Sequence, residues 1–441
     1  MKKLLFLILI SFFCFTAFSQ SFNKEKLDSF FNVLEIKNKA MGSFAISKNG
    51  VLIYKKSIGF SSVKNGSNIK ANDETLYRIG STTKMFTATL IFQLIDEGKL
   101  TLETKLNKYF PEIPNSDKIT IQMLLNHRNG LYDFVNDNDD KDWITKPQSR
   151  AIILNKIIKG KTHFEPNTNF SYNNSGYYLL TSILEKIHGK PYVKILEEKI
   201  VSKLNLKNTF SLSNNVSQKN EALPYSFDTS WKKITDIYFP NVIGVGDMLS
   251  NPTDLIIFED ALFSGKLVST KSLQLMKPFE KSFGMGLINI PFGDHIGYGH
   301  AGDTYGTHTN VFNFSKDSIT ISSCINGEVM DSDEVLIGFL SILFNNEYSI
   351  PSFNTYNVSK KQLFDYVGFY SNTELPLKIR IYNKGKILYA RADGQEAFPL
   401  DAVGKHKFNS NNVGVEMEFN VEKNLLKMKQ NNKLYIFKKE N

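Results

Sequence analysis

Strand-forming segments stand at both ends of the first 347 residues, with helical segments between them. Near the start, Phe44-Ala45-Ile46 and Val51-Leu52-Ile53-Tyr54 flank Lys48-Asn49-Gly50, and Asn-Gly between apolar runs is a strong hairpin signal. Far downstream, residues 283–288, 295–300, 307–314 and 318–325 read as strands, the last two joined by a turn at Lys316-Asp317. Residues 22–39, 81–97, 121–125, 150–158, 176–187, 193–204 and 334–344 carry helical patterning. The segment 81–97 is the best of these, with Phe86, Leu90, Ile91, Leu94 and Ile95 on one stripe and Gly98 as its C-terminal stop. Such an order predicts an α/β (α+β) domain. One antiparallel sheet is assembled from both ends of the segment and flanked by helices, with a mainly helical insertion over about residues 100–240.

The tail has a different pattern. A polar stretch with Pro351 marks a linker at 348–359, after which residues 363–437 are short alternating runs separated by turns. An example is Leu377-Lys378-Ile379-Arg380-Ile381-Tyr382 before Asn383-Lys384-Gly385. That alternation predicts an all-β unit over 360–441.

The N-terminus reads as a leader. Lys2 and Lys3 precede an apolar stretch from Leu4 to Phe15, and Ala17-Phe18-Ser19 has the small-x-small form of a cleavage site. A signal peptide over 1–19 leaves a main domain over 20–347 and the tail, expected to be soluble in an exported compartment, periplasmic or secreted. Losing Lys2, Lys3 and Cys14 lowers the formal charge from +9 to +7 and leaves Cys324 alone. A disulfide framework and a multi-cysteine metal site are thereby excluded, and stability must come from packing.

The chemistry begins at Ser81-Thr82-Thr83-Lys84, at the start of the best helix. Ser81 and Lys84 share one helical face, one turn apart. A serine hydroxyl needs a base to become a nucleophile, and a lysine serves if its pKa falls. The positive end of the helix dipole and desolvation would both lower it. Further on come Tyr172-Asn173-Asn174 in a loop before a helix, and Gly299-His300-Ala301-Gly302 at the end of a strand run.

Ser81-x-x-Lys84, Tyr172-x-Asn174 and His300-x-Gly302, in that order, resemble the motifs of the serine β-lactamase and penicillin-binding family. The likeness is strongest to its class C β-lactamase and D-alanyl-D-alanine carboxypeptidase-like branch. Leu124-Leu125-Asn126-His127-Arg128-Asn129-Gly130-Leu131 is similar to that family's LLxHxSGL segment, and Gly244-Val245-Gly246-Asp247-Met248-Leu249-Ser250 to its glycine-rich stretch before a helix. The resemblance covers residues 23–346. It implies that Ser81 is the acylated nucleophile, Lys84 its general base and Tyr172 the proton shuttle, as a phenolate held by nearby cations. It further implies that Asn174 orients the substrate amide and that His300 stands where many relatives carry lysine. Gly302 would let an edge strand approach the substrate backbone, and the backbone N–H groups of Ser81 and Asp303 would form the oxyanion hole. Tyr366-Val367-Gly368-Phe369-Tyr370 resembles the opening of the lipocalin-like or small β-barrel appendage carried by some relatives. Such an appendage would restrict access to the cleft or stabilise it.

Two residues depart from the family pattern. Ala301 lacks the hydroxyl that helps hold a substrate carboxylate, and Asp303 adds a negative charge beside it. The expected substrate is therefore a small molecule or peptide, cell-wall-derived ones included, with an ester or amide bond and either no free carboxylate there or an added amine. The alternatives are a true β-lactamase and a non-catalytic scaffold or binding protein. Retention of Ser81, Lys84 and Tyr172 together argues against the scaffold.

Other signals lead nowhere. Gly297-x-Gly299-x-x-Gly302 matches a dinucleotide fingerprint but precedes a strand-like run rather than a helix, so no cofactor is expected. His295, His300 and His308 lack a metal-binding spacing, and no metal is expected. His127 reads as a loop brace. Residues 136–142 lack the central glycine and terminal glutamate of a calcium loop. The positive excess is scattered, which points away from nucleic acid.

Overall fold

The computed structural model describes residues 22–440 apart from short stretches at 65–66, 138–139, 141, 214–216, 229, 279–282, 354–355, 357, 373–376, 385–386, 396, 411–412 and 431–432. The expected leader lies outside the described residues.

The sheet does close from both ends. Strands β1 (Ala40–Lys48) and β2 (Val51–Ile58) form the early hairpin. Asn49 and Gly50 both have positive φ, at 54° and 73°, as a tight two-residue turn matching the strand twist demands. Strands β3 (Ile288–Phe292), β4 (His295–Asp303), β5 (His308–Phe314) and β6 (Ile319–Glu328) form the late set. The order is β3-β4-β5-β6-β1-β2, antiparallel throughout. Its seam is the β1–β6 pairing, running from Ala40↔Glu328 to Lys48↔Ile319.

Both faces are covered, which is why β1 is buried almost from end to end. On one face, helix α1 (Lys24–Ile36) turns Leu27, Phe30, Phe31 and Leu34 inward. Phe31 stacks on Phe44 at 4.0 Å and meets Phe339 of a late helix, Ser332–Leu343, edge-on at 5.6 Å. On the other face lie α2 (Thr83–Asp96) and α4 (Pro252–Phe263), with Phe86 and Phe258 stacked at 3.8 Å, and α3 (Asn174–His188) packs on α2. Helix α2 is buried nearly all round, so it is the core of this layer rather than a surface helix. Each such aromatic, fully buried, contributes roughly 1.5–3 kcal/mol of transfer free energy.

Three expectations shift. Residues 283–287 are not a strand: Phe283 makes only an isolated antiparallel bridge with Ile288, where the strand begins. Gly286 adopts φ +93°, and Gly284 lies so close to Met276 that a Cβ would sit 2.3 Å from its carbonyl oxygen. The helical insertion ends in a hairpin, Tyr225–Phe227 with Trp231–Lys233, that pairs in parallel with the end of β6 at Gly327↔Tyr225. Leu363 to Tyr366 belongs to a short helix, Lys360–Tyr366, closed by a capping box between Ser359 and Gln362.

The tail beyond it is a closed eight-stranded barrel from Gly368–Ser371 to Lys433–Lys439, sealed by the pairing Tyr370↔Lys439. Its interior is filled by side chains such as Tyr370, Leu388, Phe408, Phe419, Leu426 and Phe437. Among the described residues no helix is long and apolar enough to cross a membrane.

Candidate active site

Ser81 lies in a single 3-10 turn, Gly80–Thr82, that leads straight into α2. Two glycines permit that turn to press against β4. A Cβ on Gly80, whose φ is +50°, would sit 2.6 Å from the Asp303 carbonyl oxygen. A Cβ on Gly302 would sit 2.0 Å from the Ile79 oxygen and 2.7 Å from the Thr82 nitrogen. The close approach at Gly302 is therefore to the nucleophile's own turn. Strand β4 is not at the sheet edge, but its pairing with β3 stops at Gly299, so residues 300–303 are open on that side.

Lys84 lies one turn after Ser81 and has no solvent exposure. Its Nζ is 3.0 Å from Ser81 Oγ and donates to the Val245 carbonyl at 3.1 Å. Burial lowers its pKa to about 7, against the opposing pull of Asp133. A neutral amine in that place can accept the Ser81 proton while still donating to Val245.

Tyr172 stands beside this pair, with the Lys84 ammonium 5.0 Å from its ring centroid. Its hydroxyl is buried with no hydrogen-bond partner among the described residues. Burial holds the phenol well above its usual pKa, Asp133 and Asp303 add to this, and the nearby Ser81 hydroxyl acts in the opposite sense. That rise favours the neutral phenol at rest over the expected phenolate. His127 braces the tyrosine: their rings lie 4.5 Å apart, and His127 Nδ1 accepts the Asn173 N–H at 3.1 Å. Burial, with Lys84 and His300 nearby, lowers the His127 pKa to about 3, so this brace is uncharged.

Asn174, the first residue of α3, is held through its side chain. Its Nδ2 donates to the Asp133 carboxylate at 3.0 and 3.2 Å. His300 is buried, and its Nδ1 faces the Ala301 carbonyl, so that nitrogen carries the hydrogen. Burial lowers its pKa to about 4, so it brings no positive charge to the site. Asp303 is exposed, and its carboxylate accepts from His308 Nδ1 at 2.8 Å. Burial works against a charged His308, but Asp303 and Glu328 outweigh it and raise its pKa.

Ser81, Tyr172, Asn174, His300 and Asp303 all line one cavity of about 450 Å³, with Lys84 directly behind Ser81 and Gly302 behind the wall. The rest of the lining is largely apolar, including Val135, Ile237, Val242 and Phe283. Asp236 anchors the rim, accepting from Thr304 Oγ1 at 2.9 Å, Tyr305 N–H at 3.1 Å and Arg78 at 3.3 Å. None of the barrel's described residues lines the cavity.

Sequence reasoning passed over Asp133 and Asp236. Asp133 carries one signal, a lone acid in the apolar run Leu131-Tyr132-Asp133-Phe134-Val135. The three histidines considered as a metal set have separate partners: Asp317 for His295, the Ala301 carbonyl for His300 and Asp303 for His308. Among the described residues no cluster of His, Cys, Asp or Glu could hold a metal ion.

Comparison with known proteins finds relatives over most of the chain. The family model described as Beta-lactamase matches residues 37–336. Penicillin-binding protein 4* of Bacillus subtilis is 26% identical over 432 residues, covering 90% of this chain and 94% of that protein. Teichoic acid D-alanine hydrolase of Staphylococcus aureus is 28% identical over 249 residues, 55% of this chain and 58% of that protein. Among solved structures, D-amino acid amidase from Ochrobactrum anthropi SV3 superposes with a TM-score of 0.65 at 24% identity, covering 73% of this chain and 99% of that one. An octameric penicillin-binding protein homologue from Pyrococcus abyssi superposes with a TM-score of 0.67 at 22% identity. It covers 94% of this chain and 100% of that one, so the likeness extends into the barrel.

Proposed function

The chain belongs to the beta-lactamase family, and from that premise we propose that it is an exported serine hydrolase forming an acyl-enzyme at Ser81 on a small ester or amide whose acyl group bears an amine. The observation that carries the reading is the buried Lys84 amine, 3.0 Å from Ser81 Oγ with its pKa brought down to about 7. Neutral Lys84 takes the Ser81 proton as Oγ attacks the carbonyl carbon. The oxyanion forms against the backbone N–H groups of Ser81 and Asp303. Tyr172, a neutral phenol beside Lys84, relays the proton to the leaving alcohol or amine. Water then enters, gives up a proton along the same relay, and releases the acid from Ser81.

Charge supports the amine. Asp303 puts a carboxylate on the cavity lining and buried His300 brings no positive charge there, which favours an ammonium over a carboxylate. The names of two similar proteins, a teichoic acid D-alanine hydrolase and a D-amino acid amidase, fit such a substrate. A penicillin, with its free carboxylate, would face Asp303 and find no hydroxyl at Ala301.

The test is turnover of alanyl, N-acetylalanyl and propionyl p-nitrophenyl esters, and of a fluorescent penicillin, by the mature protein and by Ser81→Ala, with intact mass recorded. Ser81-dependent hydrolysis fastest on the free-amine ester is expected, with no lasting penicilloyl adduct. Absence of Ser81-dependent turnover on every ester and on a peptide panel would sink the enzyme. Export is checked separately, by finding Gln20 at the mature N-terminus.

A further inference from the structure

Asp133 stands in none of the three motifs, yet it controls what one of them can do. Its carboxylate is buried at 3% exposure and collects hydrogen bonds on both oxygens. Beyond the two from Asn174 Nδ2, it accepts the backbone N–H of Asn174 at 3.1 Å, of Val135 at 3.0 Å and of Asn136 at 3.4 Å, and Asn136 Nδ2 at 2.9 Å. Burial raises the Asp133 pKa, but every partner is a donor, and the backbone N–H groups of Val135, Asn174 and Asn136, with Lys84, oppose that rise and favour the ionised carboxylate. This settles the orientation of the Asn174 amide. A carboxylate cannot face an amide oxygen, so Nδ2 turns to Asp133 and Oδ1 is left for the cavity that Asn174 lines.

We propose that Asp133 is a positioning residue that locks Asn174 as a hydrogen-bond acceptor, so that the site selects acyl groups carrying an N–H or ammonium donor beside the scissile carbonyl. The inference rests on the acyl-enzyme reading at Ser81. An acceptor held in a largely apolar wall is satisfied by a donor and left unpaired by an apolar group of the same size. The same carboxylate ties down the turn that puts Val135 and Asn136 on the cavity wall, and its charge opposes the effect of burial on Lys84.

The experiment compares alanyl and propionyl p-nitrophenyl esters, which differ by the α-amine alone. The enzymes are wild type, Asp133→Asn, Asn174→Ala and the exchanged pair Asp133→Asn with Asn174→Asp. In Asp133→Asn the amide of Asn174 is no longer held one way. The kcat/KM on the alanyl ester should fall roughly tenfold to a hundredfold, while the propionyl ester changes by no more than about threefold. The rising limb of the pH profile should move to lower pH, because Lys84 loses a neighbouring anion. The exchanged pair should recover most of the loss on the alanyl ester, since an amide at 133 can donate to a carboxylate at 174 whose second oxygen still faces the cavity. Equal loss on both esters in a folded Asp133→Asn, or an exchanged pair worse than either single variant, overturns the proposal. Should Asp133→Asn fail to fold, Asn174→Ala decides alone: an equal effect on both esters overturns it, and a selective loss on the alanyl ester supports it. Failure of the underlying hydrolase reading looks different, since Ser81→Ala would then turn over both esters as fast as wild type.

Discussion

The two parts of the chain bury different things. The barrel's interior is apolar, with Ser410 its one buried polar side chain among the described residues. The hydrolase body buries Lys84, Asp133, His127, His300, Asp247 and Glu259. Burial of ionisable groups is unfavourable unless they are paired or neutralised, so a fold that retains several of them is marking where its chemistry lies. The rule needs geometry beside it. Glu259 on α4 has no hydrogen-bond partner on either oxygen among the described residues and its pKa is held well above the usual range, yet it does not line the cavity. Lys84 is equally buried, and there the burial acts on a group within reach of a nucleophile.

The largest effects should divide the two parts most sharply. Ser81→Ala or Lys84→Met should reduce kcat/KM at least about a thousandfold in a steady-state assay while the barrel stays folded. In wild type, activity should rise with pH through about 7, where Lys84 becomes neutral. Stability follows the same group. Its folded pKa of about 7 lies below the 10.5 of an ordinary lysine, so over that interval the unfolded chain holds the extra proton, and denaturant stability should rise with pH. Lys84→Met should flatten that slope. Retention of the slope would move the titration to another group.

Phe437→Ala is the converse variant. Phe437 is fully buried in the barrel core, and its truncation should cost about 3–5 kcal/mol in denaturant unfolding. Under native conditions kcat/KM should change less than about twofold, because no described barrel residue lines the cavity. A larger loss would mean that the barrel acts on the site and does more than stabilise the protein.

What the sequence disclosed follows the same division. Ser81, Lys84, Tyr172 and Asn174 are legible because their chemistry is carried by residue type and short spacing. The hairpin at Asn49-Gly50 and the alternating runs of the tail are legible because turn chemistry and period-two patterning are local. The resemblance at Tyr366–Tyr370 already implies a small barrel there, but its closing pair, Tyr370↔Lys439, is not legible, since alternation specifies strands and not which of them meet last. Asp133 is hidden for a related reason: its meaning depends on Asn174, brought to it by the fold. The missed coil at 283–287 turns on Gly286, whose φ of +93° no residue pattern announces.

Gly302 shows the same limit and supports the finest comparison. Its sequence context suggests a strand making room for a substrate. In the structure it makes room for the turn at Ile79–Thr82, and a methyl group there would collide with backbone at 2.0 Å. Gly302→Ala must therefore push β4 away from Ser81. A shift of that kind displaces the nucleophile relative to Asp303, and kcat should fall on the order of a hundredfold with a smaller change in KM. The barrel offers a matched control. At Gly404 the nearest atom to an added Cβ is the Lys407 Cβ at 3.6 Å, an ordinary contact. Gly404→Ala should leave stability within about 0.5 kcal/mol and activity unchanged. If Gly302→Ala proves as silent as Gly404→Ala, then the contact between β4 and the Ser81 turn is loose, and the oxyanion pair of Ser81 and Asp303 would have to be assembled by the substrate.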